Sequence, residues 1–169
     1  MNMRPWIVAL CLLVPACTSP RKDHSPEQPI AYSHKLHAGE LNIDCKYCHV
    51  TVEEGRHASI PSVQICMNCH AAVGKDKDGV IKLTRFWDER RAVPWVKVYD
   101  LPDFAYFDHS RHIKVGLDCD RCHGDLKTME RVRTVNAFNM GWCVDCHRNP
   151  QVKGRPELKA STDCAICHR

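Results

Sequence analysis

Nowhere in this chain of 169 residues is there an apolar run of the length, about 20 residues, that a helix needs to cross a bilayer. The longest, Trp6 to Val14, is less than half of that, which argues against a permanent transmembrane helix. An excess of one charge is missing too. The 24 Lys and Arg stand against 20 Asp and Glu, a formal +4, too even a balance for a nucleic-acid-binding face. The chain also has no Cys-x-x-Cys pair without a histidine directly after it. Zinc ribbons and disulfide scaffolds use the same thiol spacing but have no need of that histidine, so both are disfavoured.

What the chain has instead is Cys-x-x-Cys-His five times: Cys45/Cys48/His49, Cys66/Cys69/His70, Cys119/Cys122/His123, Cys143/Cys146/His147 and Cys164/Cys167/His168. At this composition the pattern arises by chance roughly 0.05 times. Two thiols three positions apart on one helical turn reach the two vinyl groups of a haem, and the next imidazole then meets the proximal face of its iron. The five triplets therefore predict five haem c groups, with His49, His70, His123, His147 and His168 as proximal ligands.

The N-terminus reads as an export signal. Arg4, the apolar run and Pro15-Ala16-Cys17 form a leader over residues 1–16 that ends in a lipobox-like sequence. Cleavage before Cys17 makes that thiol the lipid attachment point, on the periplasmic side of a bacterial membrane. Ordinary cleavage, with Cys17 a bystander, is the competing reading, and Cys11 is lost with the leader in either case. Residues 17–29 hold Pro20, Pro26 and Pro29 among polar residues and read as a flexible tether. The folded part then runs from Ile30 to Arg169, 140 residues or 28 per haem, too few to wrap each group separately. The expected fold is mostly irregular with short α-helices, minor strand content and the haems as core. Five pairs of propionates would add about −10, so the Lys and Arg residues read as propionate partners and solvated surface.

A second pattern repeats. Tyr32-Ser-His34-Lys-Leu-His37 precedes Cys45, and Phe107-Asp-His109-Ser-Arg-His112 precedes Cys119. Each continues through a glycine, Gly39 or Gly116, to an aspartate, Asp44 or Asp118, directly before the cysteine. The organisation is two dihaem modules, 30–70 and 104–147, an insert at 71–103 without ligands, and a C-terminal haem in 148–169. Imidazoles three apart on a helix point the same way with a small offset and can serve two neighbouring irons. His34, His37, His109 and His112 are thus the distal ligands of four haems, although which serves which is open. For the fifth the candidates are Met140, Met67, His57 and His24. Met140 is preferred, because the helix of Cys143 would aim it at an adjacent haem, and a thioether ligand would make that centre the most oxidising. In the insert, Arg85 to Arg91 reads as a helix stopped before Pro94, and Val93 to Phe104 as an extended segment whose aromatics cover haem edges or face a partner.

The aromatic-x-His-x-x-His modules followed by attachment triplets resemble class III multihaem cytochromes c. The segments Ala31 to Glu40, Val93 to His112 and Met140 to Pro150 resemble the pentahaem subunits of alternative complex III. That resemblance implies an electron-transfer subunit, not itself an enzyme, in a membrane-associated quinol-oxidising assembly. It would pass electrons from iron–sulfur clusters of a molybdopterin-enzyme-like subunit, beside quinol-binding membrane subunits, to a periplasmic acceptor. The short lipobox leader departs from the longer membrane anchor expected of those subunits. Two other functions fit the motifs: a free-standing periplasmic carrier of the class III type, against which the long insert argues, and a multihaem reductase that keeps one iron open. No variant attachment motif marks such a special haem.

Overall fold

The computed structural model describes residues 22–169; the leader and the lipid site at Cys17 lie outside them. Seven short α-helices carry or flank the Cys-x-x-Cys-His triplets: α1 Cys45–Cys48, α2 Val63–His70, α3 Asp78–Asp88, α4 His109–Lys114, α5 Cys119–His123, α6 Met140–Arg148 and α7 Cys164–Cys167. A π-helical turn, Lys35–Glu40, precedes α1, and a 3-10 turn, Leu126–Thr128, follows α5. Sheet pairing among the described residues amounts to one bridge, Ala105 to His168. The mostly irregular, short-helical architecture is the one the sequence led us to expect.

The attachment helices are only four to nine residues long, and polar side-chain caps support three of them. Asp44, Asn139 and Asp163 stand at the N-caps of α1, α6 and α7 and accept from the backbone N–H of Lys46 (2.7 Å), Trp142 (2.9 Å) and Ala165 (2.8 Å). Asp118, the counterpart of Asp44 in the second copy, makes no such bond.

Protein core is scarce. No large side chain among the described residues is fully buried. The one apolar cluster joins Ile30, Met67, Leu83 and Val93, with Val63, Cys66, Phe86 and Trp95 against it. It forms where α3, whose buried residues are Val80 and Leu83, brings Leu83 against α2 and its Met67. The helix expected over Arg85–Arg91 in fact starts at Asp78 and ends at Asp88. Its stop is not Pro94 but Arg90, whose φ of +52° is left-handed, while the Arg91 N–H donates to the Phe86 carbonyl at 2.9 Å. Apolar spacing upstream of Arg85 outweighed the charged tail that drew attention to the later segment.

The second half of the expected tether is bound. The N–H of Asp23 donates to the Thr134 carbonyl (2.8 Å), Thr134 returns a bond to His24 (3.0 Å), and Ser25 Oγ donates to Val132 (3.0 Å). Gln28 exchanges two 3.0 Å bonds with the backbone of Val96. Backbone groups of residues 96 and 132–134 meet both the backbone and the Ser25 and Gln28 side chains of this segment, and a composition rich in Pro and charge gave no sign of those partners.

Candidate haem sites

The two duplicated modules brace each other. Gly55 lies ten residues after Cys45, and its carbonyl accepts from Ser110 N–H at 3.1 Å. Met129 lies ten residues after Cys119, and its carbonyl accepts from Lys35 N–H at 3.0 Å. Lys35 and Ser110 each directly follow the first histidine of the repeated motif. The loop after each module's first attachment helix thus holds the other module's histidine pair. Lys35 adds an ion pair with Glu130 at 3.2 Å, exposed and worth little by itself.

Within each motif the aromatic residue sets both imidazoles. Tyr32 stacks on His37 at 4.5 Å and meets His34 edge-on at 4.9 Å. Phe107 does the same to His112 at 4.4 Å and His109 at 4.8 Å. One ring packed between the two histidines restricts both and explains the aromatic-x-His-x-x-His spacing.

The histidines then fall into facing pairs. The ring centres of His37 and His70 are 6.0 Å apart, those of His109 and His123 6.3 Å, and those of His112 and His147 6.0 Å. An iron bound at Nε2 lies about 3 Å from the centre of an imidazole ring, so two axial ligands of one haem have centres about 6 Å apart. The observed spacings fit an iron between each pair and are too long for direct stacking. His34 lies near His49: its pKa is pushed down to about 4, chiefly by burial and then by the nearby His49 and His37. Burial likewise holds His123 near 4, with His109 beside it. Both stay neutral at ordinary pH, the form in which imidazole binds metal.

Orientation of the rings agrees. In His37, His49, His70, His109, His112, His147 and His168, Nδ1 faces a backbone carbonyl, at 2.9, 2.6, 3.0, 2.6, 2.8, 2.6 and 3.1 Å in turn. A carbonyl can only accept, so Nδ1 carries the proton and Nε2 keeps its lone pair for a metal. The acceptors, those of Ser33, Ser59, Val73, Arg56, Asp108, Ser161 and Phe104, escaped the sequence reading because a backbone carbonyl has no residue signature.

The thiols place the five sites in a series. Cys48 lies within electrostatic reach of Cys69, and Cys66 of Cys48, which puts the first two sites together. Cys119 lies beside Cys45, joining the first and third sites across the two modules. Cys122 neighbours Cys146 and Cys143, and Cys143 neighbours Cys167. The spatial order is second, first, third, fourth, fifth.

At the fifth site His168 is placed by Phe104, through its carbonyl and a ring 6.0 Å away, and by the bond from Tyr106 N–H to the Cys167 carbonyl at 2.6 Å. Arg56 lies 3.3 Å over the Tyr106 ring and ties this end to the first module. Of the candidates for its second ligand, Met67 is buried in the apolar cluster and serves as packing. His57 and His24 are both exposed, and the bond from His24 to Thr134 is made by its backbone N–H. Met140 opens α6, one turn before Cys143, and is 71% exposed, so it fills no core.

Such paired imidazoles beside paired thiols belong to a multihaem cytochrome c, an electron-transfer protein. Residues 13–93 match the class III cytochrome C family, and residues 105–169 match cytochrome c7 and related cytochrome c. The two matched stretches are accordingly class III-type multihaem cytochrome c domains. A similar curated protein is the menaquinone reductase, multiheme cytochrome c subunit, of Nitratidesulfovibrio vulgaris (strain Hildenborough). The two are 28% identical over 164 residues, covering 85% of this chain and 77% of the relative.

Proposed function

We propose that this chain holds five haem c groups and relays single electrons through them within a membrane-associated, quinone-linked respiratory assembly. The observation that carries the reading is the set of facing imidazoles, three pairs at 6.0–6.3 Å, within an unbroken series of neighbouring thiols. When bound, each haem supplies a one-electron ferric/ferrous couple.

The residues divide the work simply. Cys45, Cys48, Cys66, Cys69, Cys119, Cys122, Cys143, Cys146, Cys164 and Cys167 attach the groups, and His49, His70, His123, His147 and His168 take the proximal positions. His34 serves the site of His49, His37 that of His70, His109 that of His123 and His112 that of His147. With both axial positions filled, none of these four sites has room for a substrate, which favours relay over catalysis. Met140 is the distal ligand of the fifth site: its helix adjoins Cys167 through Cys143, and its side chain has no packing role. The ends of the series, at His70 and His168, are where electrons enter and leave.

Partners follow from two similarities. The relative named above is a subunit of a menaquinone reductase, whereas the likeness to alternative complex III implies quinol oxidation. Both set a multihaem subunit in a quinone-linked complex, and our reading gives this chain a place between the quinone pool and a second redox partner, beside iron–sulfur and quinone-binding membrane subunits. Among the described residues no helix is long and apolar enough to cross a membrane. A lipid on Cys17 of the exported chain supplies the attachment.

The test is purification from membranes with mass spectrometry of the processed chain. Five covalent haem adducts, a ferrous spectrum unchanged by carbon monoxide and co-purifying iron–sulfur and polytopic subunits are expected. Fewer adducts overturn the cofactor count, and a site that binds carbon monoxide favours the reductase with an open iron.

A further inference from the structure

Of the facing imidazoles whose planes are defined, one pair differs. His109 and His123 lie within 5° of parallel, whereas His37 and His70 cross at 64° and His112 and His147 at 46°. What holds His123 differs as well. His49, His70, His147 and His168, the other proximal histidines, each have Nδ1 on a backbone carbonyl, and that bond fixes ring rotation. His123 is packed instead by aromatic rings. Tyr99 meets it edge-on, centres 4.6 Å apart at 90°, and Phe138 packs on Tyr99 at 5.4 Å and on Trp142 at 4.8 Å. The Tyr99 hydroxyl donates to the carbonyl of Arg133 at 3.0 Å, which seats the ring.

We propose that Tyr99, from the insert that contributes no ligand, is a positioning residue that sets the plane of His123 parallel to His109 and so makes the third haem electronically distinct from its neighbours. The inference rests on the bis-histidine reading above. Two π-donating imidazoles in one plane raise the energy of one iron dπ orbital above the other. Crossed rings leave the two nearly degenerate. Parallel ligands accordingly give a rhombic low-spin electron paramagnetic resonance signal, and crossed ligands give one with a much larger maximal g value. The third site links the two modules through the Cys45–Cys119 contact, so electrons passing between modules traverse this iron.

The experiment uses the full-length, haem-loaded protein, oxidised and frozen. The wild-type spectrum should contain one rhombic low-spin component beside components of larger maximal g. Tyr99→Leu removes the ring edge, frees His123 to rotate, and should move that one component to larger g while the covalent haem count stays the same. Tyr99→Phe keeps the ring and should leave the component in place, which separates the packing contact from the hydroxyl bond. Should Tyr99→Leu fail to accumulate, Phe138→Leu loosens the same contact from behind and carries the same expectation. An unaltered rhombic component in both leucine variants overturns the role of Tyr99. A wild-type spectrum with no bis-histidine low-spin component at all overturns the ligand assignment instead.

Discussion

Gly39 stands where the two modules touch, and a single methyl group there tests whether their mutual bracing holds the haem ligands. A Cβ built on Gly39 would lie 2.3 Å from the carbonyl oxygen of Lys127 and 3.3 Å from its carbonyl carbon. Ordinary contact needs more than 3 Å, so the π-helical turn and the 3-10 turn must separate by about 1 Å, and the obstacle is backbone that no rotamer change can remove. Overpacking of this kind costs about 1–3 kcal/mol. The displaced turn carries His37 and adjoins His34, so the strain reaches the distal ligands of the first two sites. We expect Gly39→Ala to lower stability by about 2 kcal/mol. Part of the absorbance of the sites of His49 and His70 should also turn high-spin. Guanidinium unfolding followed at the low-spin haem band measures the first effect, and room-temperature magnetic circular dichroism the second. Gly55→Ala, in the loop after α1, is the control, since a Cβ there meets nothing within 4 Å. If Gly39→Ala matches Gly55→Ala in both measurements, the bracing does not hold the ligands.

Replacing His34 by alanine should leave five haems attached, because attachment depends on the thiols, and turn one of them high-spin; loss of a whole haem in the mass spectrum would contradict its distal role. Met140→Ala should lower the potential of the most oxidising centre in a redox titration or open it to carbon monoxide, and an unaltered titration would move the fifth ligand elsewhere. Gly79→Ala, inside α3 and with its Cβ 3.5 Å from Ile30, should raise stability by up to about 1 kcal/mol in guanidinium unfolding. Arg90→Gly should also stabilise, by about 1 kcal/mol, as it relieves a left-handed residue at the end of α3. A fall in the unfolding midpoint would show that the Arg90 side chain contributes more than its backbone strain costs.

The attachment triplets and the repeated histidine pairs were legible in the sequence because covalent and coordination chemistry impose fixed spacings on the chain. Fixed spacing survives any change of fold, so Cys45, Cys48 and His49 could be read with no knowledge of their surroundings. The same holds for the aromatic before each histidine pair, whose stacking on both imidazoles is a local event. The short helices followed too, since five attachment motifs within 140 residues leave little chain for anything longer.

Which distal histidine faces which proximal one was decided by tertiary contact alone: His37 and His70 are 33 residues apart, and nothing in either segment names the other. The same is true of the series second, first, third, fourth, fifth, which departs from chain order because the modules meet through Cys45 and Cys119. The partners that residues 23–28 meet and the carbonyl partners of seven histidines are largely backbone groups, which residue identity does not mark. Sequence alone pointed to the cofactor class and to the candidate attachment and ligand residues, because such bonds are chemically specific. The structure decided the order and orientation of the sites, because these arise from packing that many sequences could satisfy.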